Sequence, residues 1–303
     1  MIEKSVVLIL GAGASAPYGY PPGSGLASTI IKELESENTP FAKDVLACNF
    51  HWEAIKEFRD RFNLSLHDSV DAFLERRPQY VELGKVSIAR TLIPFEKSDK
   101  LLNRDINDHW YRMLAQALDV GPERFGDNKV SIVTFNYDRS LEQYLFMAFK
   151  NQYQLSDDDA GSLICPIPIV HLHGDLGRLP VIHGNGRPYD PEVSPYILGQ
   201  CAKGIKIISE DVAGDSGFRM AWKLIEEAET ICFIGFGFHQ TNLERLFESV
   251  NALAGQKVYG SAKGLTVRHI GQIASWFKER YDVKFEFNQF GARSLLGEYP
   301  VFS

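Results

Sequence analysis

Cysteine is scarce in this chain of 303 residues, which contains four, none of them in a CxxC pair. Structural zinc modules need closely spaced cysteines, and the small disulfide scaffolds of secreted proteins are much richer in this residue. We therefore expect a reduced cytoplasmic protein without zinc or disulfides, in which most cysteines pack as small apolar side chains. The four residues are Cys48, Cys165, Cys201 and Cys232.

The chain also lacks a long apolar run and an excess of positive charge. No stretch approaches the length that spans a bilayer, and a strand predicted to begin at Ser5 leaves no room for a signal peptide, so we expect no membrane contact. The formal net charge of −7 argues against direct binding of nucleic acid. The remaining composition, 45% hydrophobic and 23% charged, is ordinary for a globular protein that buries a large core.

The run of branched apolar residues at 6–10 predicts a strand that is buried on both faces. Gly11 and Gly13 follow it and give a tight turn, so the backbone can press against a pyrophosphate with its N–H groups. A strand, a glycine turn and a helix in this order are typical of dinucleotide binding. Hydride-transfer Rossmann enzymes continue with a strand that has an acidic tip, but here residues 24–37 predict a helix and no such strand follows.

The segment at 41–129 has helical periodicity and no strand signals. We interpret it as a helical insert between the first two strands of the sheet. The chain then divides into a Rossmann-like domain of residues 1–40 and 130–303 and a helical insert of residues 41–129. Asp108 and His109 in this insert are expected on a solvated helix surface, without a spacing that indicates a metal site.

Two strands after the insert are predicted to end in polar side chains. Asn136 and Asp138 follow the apolar run 130–135, and His171 and His173 end the next apolar run. The carboxyl ends of parallel strands are where open α/β sheets bind ligands. Asn136 is therefore a functional candidate, whereas Asp138 can both bind a ligand and cap the following helix. Alternation along a strand places the two histidines on one side, and we expect one of them to be functional.

The remaining segments complete an α/β pattern. Two of them are predicted to be irregular, namely an exposed acidic loop at 152–162 and a lid or binding loop at 176–210. A buried strand at 230–234 leads into Gly235 and Gly237, where the backbone can again approach a ligand. Together these segments predict an α/β protein with a Rossmann-like, open, mainly parallel sheet, helices on both faces and a helical insert.

Four short motifs, GAGAS, TFNYD, LHG and GFGF, follow four predicted strands in this order. The set resembles the sirtuin superfamily, and most closely its bacterial sirtuin-like branch, over roughly residues 1–40 and 130–290. The resemblance implies NAD+ as the ligand, with Asn136 and His173 as the catalytic pair. The residues implied to bind NAD+ are Gly11, Ala12, Gly13 and Ser15 at the phosphates, Asp138 at the nicotinamide carboxamide, and Gly235 and Gly237 at the adenosine end.

Two departures distinguish the chain from deacylase sirtuins. It lacks their four-cysteine zinc module, and Pro21-Pro22-Gly23-Ser24 stands where their first motif continues into Pro-Asp-Phe-Arg. Sirtuin-like proteins without the zinc module are commonly NAD+ glycohydrolases of anti-phage defence systems. The resemblance therefore implies hydrolysis of NAD+, as substrate, to nicotinamide and ADP-ribose. Two alternatives remain open: a non-catalytic sensor or structural subunit that binds NAD+ or ADP-ribose, and an NAD-dependent protein deacylase.

Regulation is expected to come from assembly. An unrestrained NADase kills its host, and no sensor domain is apparent after the predicted sheet. We therefore expect a homo-oligomer or a separate partner that controls the activity. By resemblance, the candidate partners are a HerA-type hexameric ATPase, a short Argonaute or another phage sensor.

Overall fold

The structure of this chain is a computed structural model that describes residues 1–67, 69–207, 212–253 and 255–303. Its strands are β1 Val6–Leu10, β2 Val130–Thr134, β3 Ile169–His171, β4 Thr230–Ile234, β5 Lys257–Ser261 and β6 Phe285–Asn288. They form one parallel sheet in the order β3-β2-β1-β4-β5-β6. The order reverses between β1 and β4, as in doubly wound Rossmann-like folds, which confirms the predicted fold class.

The three central strands are buried along their whole length, because each is a mostly branched apolar run covered on both faces. β1 lies between β2 and β4, and Leu10 is level with Thr134 and Ile234. The residues that follow these strands therefore emerge side by side at one edge of the sheet. This edge is where the predicted site residues are expected to meet.

Helices cover both faces of the sheet and enclose two hydrophobic cores. Val6, Leu8 and Leu10 contribute to one core, while Val7 and Ile9 contribute to the other, as the alternation of a strand requires. The helices are α1 Gly23–Glu33, α2 Pro40–Leu46, α3 Trp52–Asn63, α4 Val70–Glu75, α5 Val81–Leu92, α6 Ser98–Leu101, α7 Trp110–Leu118, α8 Ser140–Tyr153, α9 Asp157–Ile164, α10 Pro180–His183, α11 Pro195–Gly204, α12 Ser216–Glu227, α13 Gln240–Leu246, α14 Val267–Tyr281 and α15 Ala292–Glu298.

The predicted insert contributes helices α2 to α7 between β1 and β2. Its aromatic side chains pack tightly: the Phe62 and Phe73 ring centroids are 4.8 Å apart, and Phe58 stacks beside them. These rings belong to the same hydrophobic core as Leu8 of β1. The insert is therefore joined to one face of the sheet through a continuous core, and its status as a separate domain stays a prediction.

Both segments predicted to be irregular contain helices. The acidic segment forms α9, where the Ser156 hydroxyl accepts from Asp159 N at 3.1 Å and acidic side chains occupy the first turn. The longer segment forms α10 and α11, and Ser194 caps the latter. Residues 208–210 of that segment lie outside the described residues. Local capping signals, rather than apolar periodicity, would have revealed these helices.

The described residues also bear on the expectations drawn from composition. Cys201 and Cys232 are buried and Cys48 is partly buried against the core, whereas Cys165 is exposed, so packing accounts for three of the four. Within the described ranges, no helix has both the length and the apolar character needed to cross a membrane. Those ranges also contain no group of three or more His, Cys, Asp or Glu residues arranged to hold a metal ion.

Candidate active site

A cleft of about 1210 Å³ opens at the carboxyl ends of the central strands. Its walls come from the loops after β1 and β4, from the ends of β2, β3 and β5, and from α4 of the insert. Ser15 is 2% exposed and lies behind the wall rather than in it. The predicted site residues that line the cleft are Gly11, Ala12, Gly13, Asn136, Asp138, His173, Gly235 and Gly237.

The two glycine loops pack backbone against backbone. Gly235 has a φ of +59°, and a Cβ on it would lie 2.0 Å from Ala14 N. Gly13 N donates to Gly235 O at 3.0 Å, and Gly11 N donates to Ile234 O at 3.0 Å. These glycines are thus required for the close approach of the loops, and two of their N–H groups are already engaged. Phosphate binding by this loop stays a prediction and would use other atoms.

The side-chain amide of Asn136 has hydrogen-bond partners at its nitrogen but none at its oxygen. Its Nδ2 donates to Gly11 O and to Ser15 Oγ, each at 3.0 Å. Because Gly11 O only accepts, this contact fixes the orientation of the amide. Asn136 Oδ1 is buried and has no hydrogen-bond partner. A buried carbonyl oxygen normally has a donor, so this atom is a candidate contact for a ligand or a water.

His173 is 4% exposed and faces a carboxylate that comes from the insert. Its Nδ1 lies 3.3 Å from Asp71 Oδ1 in α4, without the geometry of a formed hydrogen bond. The Tyr137 hydroxyl donates to the same carboxylate. Burial alone would raise the pKa of Asp71, but the charge of His173 and the Tyr137 hydroxyl together hold it below its usual range.

Asp71 is the site residue that the sequence did not reveal. It lies in a short amphipathic helix, and its position gives no sign that it meets His173, because the contact joins distant parts of the chain. Glu75, on the same helix, binds Arg245 of α13 at 2.7 and 3.2 Å. Helix α4 is therefore attached to both sides of the cleft.

Asp138 both lines the cleft and binds the start of α8. Its Oδ1 accepts from Ser140 N at 3.1 Å and from the Ser140 hydroxyl. Burial raises the pKa of Asp138, although hydrogen bonds from Ser140 and Ser15 oppose the rise. The two roles expected from the sequence are thus compatible at this residue.

His171 does not lie on the same side as His173, and the expected alternation is wrong here. The strand ends at His171 and a turn follows, in which Gly174 has a φ of +71°. His171 instead lines a second cavity of about 560 Å³. Its Nε2 binds Glu142 Oε1 at 2.8 Å and its Nδ1 binds Asn136 O at 2.8 Å. Burial opposes the charged form, but Glu142 prevails and raises the pKa of His171 to about 9.

An aromatic cluster of the insert supports the first glycine loop. Trp110 Nε1 donates to Ala14 O at 2.8 Å, and the Tyr18 ring stacks on Tyr111 with centroids 3.7 Å apart. His109 is 7% exposed, so the expectation of a solvated surface is wrong for this residue. Burial, with the nearby charges of Arg112 and Arg293, lowers the pKa of His109 to about 4.

The segment predicted as a lid is held down by a buried ionic cluster. Arg139 is 1% exposed and binds Glu96 of the insert, which is fully buried. Arg139 also donates to Gly177 O at 2.6 Å and to Arg187 O at 2.7 Å. Arg187 in turn pairs with Glu96. This part of the segment is therefore fixed to the body of the protein.

The fold and cleft define a Rossmann-type nucleotide-binding architecture. Residues 130–267 match the family model of the SIR2-like domain, a span that holds Asn136, Asp138, His173 and the second glycine motif. The match supports a sirtuin-like superfamily member with an NAD-related function. No curated protein matches the chain significantly.

Proposed function

We propose that the cleft binds NAD+ and hydrolyses the bond between nicotinamide and ribose, with nicotinamide and ADP-ribose as products. The observation that carries this proposal is the pair Asn136 and His173, which line one cleft with the first glycine loop. Asn136 Oδ1 is buried without a partner, and a ribose hydroxyl or a water molecule would supply the missing donor.

The chemistry fits the residues present. Breaking the C1′–N bond sends its electron pair to the nicotinamide ring, and positive charge develops on the ribose, as in other glycoside hydrolyses. Nicotinamide leaves as a neutral molecule, so no strong acid is required. Asn136 would orient the attacking water or a ribose hydroxyl through Oδ1, and Asp138 would bind the carboxamide.

His173 would act as the general base. A neutral imidazole accepts a proton near pH 7, and its two ring nitrogens take separate roles. With Nδ1 facing Asp71, Nε2 is left to accept the proton of the water that attacks C1′. Asp71 does not touch the reacting atoms in this scheme, so it is a positioning residue for the His173 ring.

The direct test is release of nicotinamide from NAD+ by the purified chain. We expect Asn136→Ala and His173→Ala to abolish release while the circular dichroism spectrum and melting temperature stay close to those of the parent. Asn151→Ala, on an exposed turn of α8, is the matched control and should remain active. Full activity in either cleft variant would overturn the assignment.

The two alternatives predict different outcomes of the same assay. A non-catalytic sensor or structural subunit would bind NAD+ or ADP-ribose through the same residues but release no nicotinamide. A deacylase would release nicotinamide only when an acylated peptide is added. The open Oδ1 of Asn136 is compatible with all three, and the hydrolase is favoured because the chain has no zinc module of the deacylase type.

The biological role is a further part of the proposal. We propose an anti-phage effector that acts in the cytoplasm as a homo-oligomer or under a partner such as a HerA-type ATPase or a short Argonaute. Light scattering of the chain alone and with the product of a neighbouring gene tests the assembly. Plaque counts with the parent and with His173→Ala test the defence role, which requires that protection depends on His173.

A further inference from the structure

Tyr137 stands between Asn136 and Asp138, and the proposed function gives it no role. It follows β2, is 6% exposed and lines the cleft with both neighbours. Its ring packs edge-on against the His173 ring, with the centroids 5.9 Å apart and the planes at 85°. Its hydroxyl donates to Asp71 Oδ1. One side chain from the end of the sheet therefore contacts both the histidine and the carboxylate that faces it.

The Asp71 carboxylate has a neutral donor at each of its oxygens. Tyr137 donates to Oδ1, and the hydroxyl of Ser69, the residue before α4, donates to Oδ2 at 3.3 Å. Burial, with the charge of Asp71, raises the pKa of Tyr137 well above its usual range, so its hydroxyl keeps its proton. A carboxylate oxygen can accept more than one hydrogen bond, so Oδ1 can also accept from His173. The two hydroxyls thus restrain the rotation of the carboxylate and leave it able to bind the imidazole.

The carboxylate bears on which nitrogen of His173 carries the proton. A neutral imidazole has one N–H, and the contact made by one nitrogen sets the state of the other. His173 Nδ1 lies 3.3 Å from Asp71 Oδ1 and has no hydrogen-bond partner among the described residues. An acceptor in this place favours the proton on Nδ1, which leaves Nε2 free to act as a base. The strength of that preference depends on how firmly Oδ1 is held in front of Nδ1.

We propose that Tyr137 is a positioning residue that acts on His173 through Asp71. By holding Oδ1, its hydroxyl keeps the imidazole in the Nδ1–H tautomer that general-base catalysis at Nε2 requires. The arrangement joins the sheet to the insert, because Tyr137 follows β2 whereas Asp71 belongs to α4. The effect on catalysis rests on the proposed function, whereas the place of the proton on His173 can be measured without turnover.

A double-mutant cycle on nicotinamide release tests the route through Asp71. Tyr137→Phe keeps the ring that packs on His173 and removes only the hydroxyl. It should lower kcat about tenfold with KM within about twofold of the parent, and should change kcat by less than about twofold in the Asp71→Asn background. Tyr80→Phe is the matched control, because it removes a hydroxyl that donates to Glu57 at 2.8 Å within the insert. Its kcat should equal that of the parent.

Nitrogen-15 spectra of the histidine rings test the tautomer in protein without ligand, and the His173 signals are those lost in His173→Gln. The parent and Tyr80→Phe should show the proton on Nδ1, whereas Tyr137→Phe should show a mixture with the Nε2–H form. Ser69→Ala removes the other donor to Asp71 and should move the signals in the same direction by less. It replaces Tyr137→Phe in both experiments if circular dichroism shows that the latter does not fold.

Three results would overturn the inference alone. The first is an equal loss of kcat from Tyr137→Phe in the parent and in the Asp71→Asn background, which would show that Tyr137 acts independently of Asp71. The second is a parent spectrum with the proton on Nε2 of His173, and the third is a tautomer that Tyr137→Phe leaves unchanged. The proposed function stands in each case if the parent releases nicotinamide from NAD+. If the parent releases none, the proposed function fails, and the spectra alone decide the place of the proton.

Discussion

The main cleft and the second cavity each contain a histidine beside a carboxylate, and the two pairs differ in completeness. In the second cavity, both ring nitrogens of His171 are bound, one to Glu142 and one to Asn136 O, each at 2.8 Å. In the main cleft, His173 lies 3.3 Å from Asp71, without hydrogen-bond geometry. His171 and Glu142 thus form a fully bonded ion pair, whereas the contact with Asp71 leaves the His173 imidazole available for proton transfer.

The difference follows from where each carboxylate comes from. Glu142 lies on α8, which begins soon after β2, and it meets His171 at the end of β3, so its position follows from the sheet and the helix that leaves it. Asp71 belongs to the insert and reaches the cleft from outside the sheet. Aromatic rings rather than hydrogen bonds hold His173, with the Phe135 and Tyr137 centroids at 5.6 and 5.9 Å from it. A base that must gain and lose a proton is suited to such an environment.

The largest expected effect separates the two histidines by activity. His173→Ala should lower nicotinamide release by about a thousandfold or more, as loss of a general base does. His171→Gln should keep most of the activity, because the ring nitrogens of His171 bind Glu142 and the backbone oxygen of Asn136 rather than the Asn136 side chain. Equal losses in the two variants, measured as kcat/KM on protein of the same helical content, would show that the cavities do not differ in function.

The second expected effect distinguishes the two histidines by their contribution to the stability of the fold. His171→Gln should lower the free energy of unfolding by about 3 kcal/mol, because it leaves Glu142 charged and partly buried without its partner. The folded pKa of His171 is about 9 against an ordinary 6.5, so its contribution is complete below about 6.5 and is lost as pH rises through about 9. Glu142 has a lowered pKa, so its contribution is present above 4.5 and is lost at lower pH.

Urea unfolding across the pH range measures this effect. The difference in stability between the parent and His171→Gln should be greatest between about pH 4.5 and 6.5 and should shrink towards pH 9. A difference that does not change with pH would mean that the pair contributes by packing alone.

The smallest effect concerns Asp71. Asp71→Asn should lower kcat by about tenfold to a hundredfold, since the carboxylate orients His173 without touching the reacting atoms. KM should stay close to that of the parent, because Asp71 does not contact the reacting atoms in this scheme. Glu75→Gln, one turn along the same helix, is the control and should leave kcat close to that of the parent.

The sequence predicted the features that depend on local pattern. Branched apolar runs located the central strands, and the residues after them led to Asn136, Asp138 and both glycine motifs. The sequence did not predict the features that depend on contacts between distant parts of the chain. Asp71 enters through packing of the insert, and His171 was assigned to the wrong side because a turn replaces the strand after it. Helix α11 was missed because its start is marked by Ser194 rather than by apolar spacing.

The backbone contact between the two glycine loops joins the two halves of the proposed binding surface. A Cβ on Gly11 would lie 2.6 Å from Gly235 O, and one on Gly13 would lie 2.9 Å from Gly235 Cα. A methyl group at any of these positions would act as a wedge between the β1 and β4 ends of the sheet. A lesion in either loop should therefore disturb the other loop as well, and with it both of the proposed contacts to the dinucleotide.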